Sequence, residues 1–274
     1  MRYLQTFAII LFVFSLVFTG WAHIRYTSGL NADHPVLSSS VELLELSVQD
    51  PPEAILRGLT AEDATDGDLT DRIMVASVSH FLTPGTVNVK YVVFDNHNNS
   101  ATLTRKVHYT DYKSPVFRLE KPAVYTIGDS FDLLSHVRAE DDLDGDISDQ
   151  IRVLSNMVNI FSAGTYPVVL EVSNSCGDTA QVTLWVTYLA NEPNVFIQLH
   201  QYIVYVEQGA SFDPRRWLAS VTDSEAVALD PYKVTIQGSL DTMTPGFYRL
   251  AYSYADGNLT GQTPITVVET ERQG

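Results

Sequence analysis

Two acidic stretches carry the side chains best suited to chemistry in this chain. Ala61 to Ile73 reads AEDATDGDLTDRI, and Ala139 to Ile151 reads AEDDLDGDISDQI. They share an A-E-D opening, a D-G-D centre and a closing D-x-I, and Asp66 and Asp144 lie 78 positions apart. The first stretch offers Asp63, Asp66, Asp68 and Asp71; the second offers Asp141, Asp142, Asp144, Asp146 and Asp149. Calcium takes about six to eight oxygens, often several from one loop, so these aspartates are candidate Ca2+ ligands. Crowded like charges between Glu140 and Asp146 also repel one another unless a cation screens them. An EF-hand is excluded, because Ile151 stands where its bidentate glutamate would be needed. The competing reading is structural. Asp-Gly supplies tight-turn geometry, neighbouring Asp side chains cap backbone amides, and Leu69/Ile147 and Ile73/Ile151 plug the edge of a core.

No G-x-S-x-G, H-E-x-x-H, Walker A or G-x-G-x-x-G occurs, and the histidines form no i, i+4 pair. A glycosidase needs two acids facing each other across roughly 5–10 Å of a cleft, which small tandem β domains rarely build. A non-catalytic protein is therefore expected. Trp185 falls on the outward phase of its strand, where the first repeat has Lys106; it suits either sugar stacking or packing against a neighbour. Trp217 is expected to fill a core. Cys176 is the single cysteine, which excludes an intrachain disulfide and a cysteine-cluster zinc site; its place in a turn predicts an exposed thiol.

The net charge of −16 and pI near 4.6 argue against nucleic-acid partners and against a basic patch for anionic lipid. Residues 4–22 (LQTFAIILFVFSLVFTGWA) are uncharged and long enough to span a bilayer. They predict a single-pass anchor at residues 1–25 with the C-terminal region extracellular. Cleavage of a signal peptide near Ala22, giving a secreted protein, is the alternative. Residues 26–40 are small and polar and read as a stalk.

Beyond them, alternating strands recur. Val87, Val89, Tyr91 and Val93 share one face; so do Tyr166, Val168, Leu170 and Val172, and again Tyr248, Leu250, Tyr252 and Tyr254. Each strand ends in a Gly/Asn/Asp turn cluster and reverses into a Thr/Val-rich strand. Pro264 in the last returning strand suggests a sheet edge. Short strands with regular turn signals predict all-β sandwiches.

The order A-x-D-x-x-D-G-D-[IL]-[TS], then x-x-G-T-Y-x-V-x-[YL]-x-V-x-D and a V-x-V strand, resembles bacterial immunoglobulin-like domains of the DUF5011 type. These are akin to the Ig-like modules of some pesticidal crystal proteins and to hyalin repeats. The resemblance covers roughly residues 40–270. It departs from the family at Val87, at Asn98 and in the third copy, which reads ASVTDSEAV (Ala219–Val227) with no D-G-D. The resemblance implies three tandem Ig-like β-sandwich domains after the N-terminal transmembrane helix: residues 41–111, 112–190 and a degenerate 191–270, with a short tail at 271–274. It also implies a displayed spacer or adhesive role toward an unidentified surface protein or glycan, with the membrane reached through residues 4–22, and no catalysis. The carbohydrate-binding alternative rests on Trp185 and the tyrosine-rich third copy.

Overall fold

The computed structural model describes residues 12–21 and 34–271. The chain divides between Asp111 and Tyr112 into two compact units.

In the first unit, strands β1 (Val36–Ser39), β3 (Leu59–Asp63) and β4 (Gly67–Asp68) form one sheet in the order β1-β3-β4. The facing sheet is β2-β7-β6-β5, from β2 (Leu43–Leu46), β5 (Met74–Val78), β6 (Thr86–Phe94) and β7 (Ser100–Tyr109). The expected alternation on β6 holds, with Val87, Val89, Tyr91 and Val93 fully buried. Leu59, Ala61, Leu69 and Ile73 from the other layer are buried as well. Each layer hides one face, which is the condition for a sandwich.

The second unit holds two such sandwiches. The first pairs β8 (Val116–Leu119), β10 (Val137–Asp141) and β11 (Gly145–Asp146) with the sheet β12-β13-β14-β9. Here β9 is Val124–Thr126, β12 is Arg152–Asn156, β13 is Gly164–Ser173 and β14 is Thr179–Leu189. The next sandwich comprises β15 (Val195–Leu199) with β17 (Leu218–Asp223), facing the sheet β16-β20-β19-β18. That sheet is built from β16 (Ile203–Glu207), β18 (Thr235–Gln237), β19 (Gly246–Asp256) and β20 (Leu259–Thr270). Where the first two sandwiches gain a third strand from the Gly-Asp of the acidic motif, the third has only a bridge, Thr222 to Ala228. Loss of the D-G-D is thus legible as loss of a strand.

The two sandwiches of this unit share apolar contacts. Ile203 and Val268 of the third pack into the core of the second, beside Val168, Leu184 and Tyr188. The Phe117 amide also donates to the Tyr205 hydroxyl at 2.7 Å.

Two expectations need correction, and a third, the membrane span, lies partly outside the described residues. Among the described residues no helix is long and apolar enough to cross a membrane. Residues 12–21 are helical, and the remainder of the expected 4–22 span lies outside the described residues. Pro264 is not on an edge strand: β20 is flanked by β16 and β19, and Pro264 pairs with Ala251. The missing N–H is tolerated because β16 first pairs with β20 at Thr266, so Pro264 lies beyond the end of that neighbour. Cys176 is buried, not exposed, in a turn that Ser175 ties to Asp144 of the acidic loop.

Candidate functional site

The two acidic motifs build nearly the same loop atom for atom. In the first, β3 ends at Asp63, whose Oδ1 accepts the amides of Thr65 (2.8 Å) and Asp66 (2.9 Å). Gly67 then turns the chain at φ +75°, where a Cβ would be strained, and β4 returns antiparallel with Asp63 opposite Gly67. Asp68 Oδ1 accepts the Thr70 amide at 2.9 Å and opens a short 3-10 turn, while Leu69 N–H bonds to Ala61 O at 2.8 Å and drops its side chain into the core. In the second, Asp141 Oδ1 accepts from Leu143 (2.9 Å) and Asp144 (3.0 Å), Gly145 turns at φ +72°, and Asp146 Oδ1 accepts the Ser148 amide at 2.9 Å. Ile147 N–H bonds to Ala139 O at 2.9 Å. Hydrogen bonds from Thr70 and Ser148 hold the exposed carboxyls of Asp68 and Asp146 below the ordinary carboxylate range.

The central aspartate reaches further. Asp66 accepts the backbone and side-chain amides of Asn96 at 2.7 and 2.8 Å, and Asn96 stands at the tip of the β6–β7 hairpin. Asp144 accepts the backbone amide and hydroxyl of Ser175 at 2.6 and 2.8 Å, at the tip of the β13–β14 hairpin. The motif therefore ties a loop of one sheet to a hairpin of the facing sheet. Sequence reasoning missed Asn96 and Ser175. Their signal was a polar residue second in each turn cluster, 30 and 31 positions after the bridging aspartate.

The calcium reading meets this geometry directly. Asp63, Asp66, Asp68, Asp141, Asp144 and Asp146 accept hydrogen bonds from nearby turns, and Asp142 caps the Lys113 amide at 3.0 Å. Asp71 and Asp149 are exposed within the 3-10 turns. Among the described residues no group of three or more His, Cys, Asp or Glu side chains is arranged to hold a metal. The physical reason is the turn itself, which points each carboxylate at amides of its own or the facing loop instead of at a common centre.

The two loops differ at one buried atom. Asp141 Oδ2 accepts from the Tyr112 hydroxyl (3.2 Å) and from Asn174 Nδ2 (3.1 Å). Tyr112 also reaches Asp178 at 2.7 Å; burial, then Asp178 and Asp141, drive its phenol far above the usual range. In the first sandwich Asp95 opens the corresponding turn, caps His97 and Asn99, and offers no donor side chain. Asp63 Oδ2 is left buried without a hydrogen-bond partner among the described residues.

Trp185 is half-buried on the outward face of β14, with the Arg249 guanidinium of β19 5.8 Å from its ring centre and its indole nitrogen buried without a partner. A sugar stacking on this ring would compete with that guanidinium for one face. Trp217 lies against the third core and stacks on Phe212 at 6.4 Å. Arg105, whose burial the strand pattern concealed, donates to the Tyr91 hydroxyl (3.2 Å), Ser39 Oγ (3.0 Å) and Ile55 O (2.7 Å). In register it holds the position of Leu184 and Ile265 in the other sandwiches.

A larger concavity lies within the second unit, between its two sandwiches. It measures about 1120 Å³ and is walled by β8, β15 and the 200–203 segment, with Lys113 and Lys121 at the ends of β8.

No protein-family model matches the chain. Over 241 residues, 81% of its length, it is 28% identical to the pesticidal crystal protein Cry22Aa of Bacillus thuringiensis, covering 31% of that protein. It is 24% identical over 151 residues, 53% of its length, to an uncharacterised 81.3 kDa protein of Acholeplasma phage L2, covering 20% of that protein. The chain thus spans less than a third of the length of either relative. Among solved structures, the Clostridium perfringens ZmpB M60 catalytic domain with its CBM51 domains aligns over 88% of this chain and 31% of that one, at 14% identity and TM-score 0.25. Drosophila N-cadherin EC1-3 aligns over 85% and 98%, at 10% identity and TM-score 0.29.

Proposed function

We propose that this chain is a non-catalytic, membrane-anchored extracellular protein presenting Ig-like modules of the DUF5011 type, for adhesion or as a structural spacer. The observation that carries this reading is the use of the acidic motifs. Their aspartates brace turns within a repeated sandwich, which is the work of a module's frame and not of a reaction centre. The partial sequence similarity to a pesticidal crystal protein supports the same kind of module. The uncharged 4–22 segment supports export and anchoring. Protease treatment of intact host cells tests the placement. Residues 41–270 should be removed while cytoplasmic markers survive, and full protection would refute it.

Carbohydrate binding is the second reading. The observation favouring it is the cleft of the second unit, where an exposed aromatic ring sits among amide side chains and lysines that form no ion pair among the described residues.

A further inference from the structure

We infer that this cleft binds a carboxylate-bearing oligosaccharide of the uronic-acid type, an inference that rests on the carbohydrate-binding reading. The cleft is preformed: its two walls belong to one compact unit and are joined by the Phe117 amide on Tyr205 Oη at 2.7 Å. A groove whose walls are already in contact lowers the ordering cost on the protein's side of binding.

Its floor has the composition that sugars need. Phe196, Gln198 and His200 are successive outward-facing residues of β15 and the turn after it, all exposed. They stand at two-residue steps of about 6.6 Å along an extended chain. Phe196 is 46% exposed, which leaves an apolar ring open for the C–H face of a pyranose. Gln198, which accepts from Ser220 Oγ at 3.2 Å, keeps its amide N–H donors for hydroxyls.

Charge selects the ligand. Of the charged groups on and just after β8, Arg118 pairs with Glu140 at 2.9 Å and Glu120 pairs with Arg138 at 3.4 Å. Lys113 and Lys121, also on the cleft, form no ion pair among the described residues. These are two of only five lysines in a chain of net charge −16, so two ammonium groups mark the ends of the cleft, with Asp141, Asp142 and Asp146 bordering Lys113 on its other side. Ammonium groups eight positions apart in the chain suit a ligand with spaced carboxylates. An extended acidic peptide adding to β8 is disfavoured. That strand is only four residues long, and its Phe117 N–H is already used by Tyr205.

Calorimetric titration of the full chain with hexagalacturonate, chitohexaose and a poly-glutamate peptide tests the proposal. Hexagalacturonate should bind, at least 10-fold more tightly than chitohexaose, and more weakly as salt rises. Phe196→Ala and the pair Lys113→Gln/Lys121→Gln should each weaken binding 10-fold or more, with melting unchanged because these side chains are exposed. Equal affinity for chitohexaose, tighter binding of poly-glutamate, or uronate binding indifferent to the variants would each overturn the cleft assignment. In the last case, loss on Trp185→Ala would leave carbohydrate binding standing at another site. Absence of binding by either glycan would sink both.

Discussion

Glu269 offers the sharpest test of the energetic reasoning. It lies on β20 opposite Gly246, is 3% exposed, and neither carboxyl oxygen has a hydrogen-bond partner among the described residues. The corresponding pair in the second sandwich is Gly164 opposite Tyr188. There the Tyr188 ring stacks on Tyr125 at 5.3 Å, and its hydroxyl donates to Asp129 O at 3.3 Å. The third sandwich has put a polar group where the second puts an aromatic ring with a polar outlet. Glu269→Met keeps an unbranched side chain of similar length and removes the unsatisfied oxygens. A buried polar group without a partner costs about 1–3 kcal/mol, and that is the stabilisation expected. For a folding unit of this size, 1 kcal/mol moves Tm by about 2–4 °C, so the second unit should melt roughly 2–12 °C higher. Tryptophan emission reports this unit, since Trp185 and Trp217 both belong to it while Trp21 lies in the 12–21 helix. An unchanged or lower Tm would refute the reasoning and show that the carboxyl group is satisfied in solution by water or a cation.

Further outcomes follow from the same geometry. Asp144→Ala removes both bonds to Ser175 and should lower stability by about 1–3 kcal/mol in urea unfolding, with Asp66→Ala doing the same to the first unit through Asn96. Because these carboxylates are already engaged, millimolar calcium should leave the melting of the wild-type chain unchanged; a clear rise would restore the cation reading. Arg105→Leu, which installs the residue type seen at Leu184, should leave stability level or raise it, since a buried guanidinium with only neutral acceptors is costly to desolvate; a large fall in the urea midpoint would count against this. Asp68 and Asp146 have folded-state pKa values below their unfolded ones, so their contribution is fully present above about pH 4 and lost as pH falls through the folded values. Double substitution to Asn should therefore flatten the acid limb of the stability curve. Burial pushes the Cys176 thiol up, so a thiol reagent at pH 8 should label it slowly in the native chain and rapidly in urea.

The β architecture was legible because it rests on local rules. The alternation through Val87–Val93, Tyr166–Val172 and Tyr248–Tyr254 states which face is buried, and a one-residue slip would expose all of it. The turn role of the D-G-D motifs was readable for the same reason, since Asp63 and Asp141 cap amides only two and three residues away. What each motif bridges to was not readable. Asn96 and Ser175 are some thirty residues distant and carry no pattern that names a partner.

Residue chemistry and periodicity thus determined by themselves that this is a repeated β protein with an acidic surface and eroded third copy. Only the tertiary structure decided which polar groups are buried and what they meet. Arg105 sits in a core on a strand whose pattern reads as ordinary alternation, Cys176 is buried in its turn, and Glu269 pairs opposite a glycine where the sister domain has a tyrosine. The cleft around Phe196 likewise exists only because Ile203 and Val268 bury themselves against the second sandwich. Burial depends on contacts between residues far apart in the chain, and no local spacing encodes which of them will close over a given side chain.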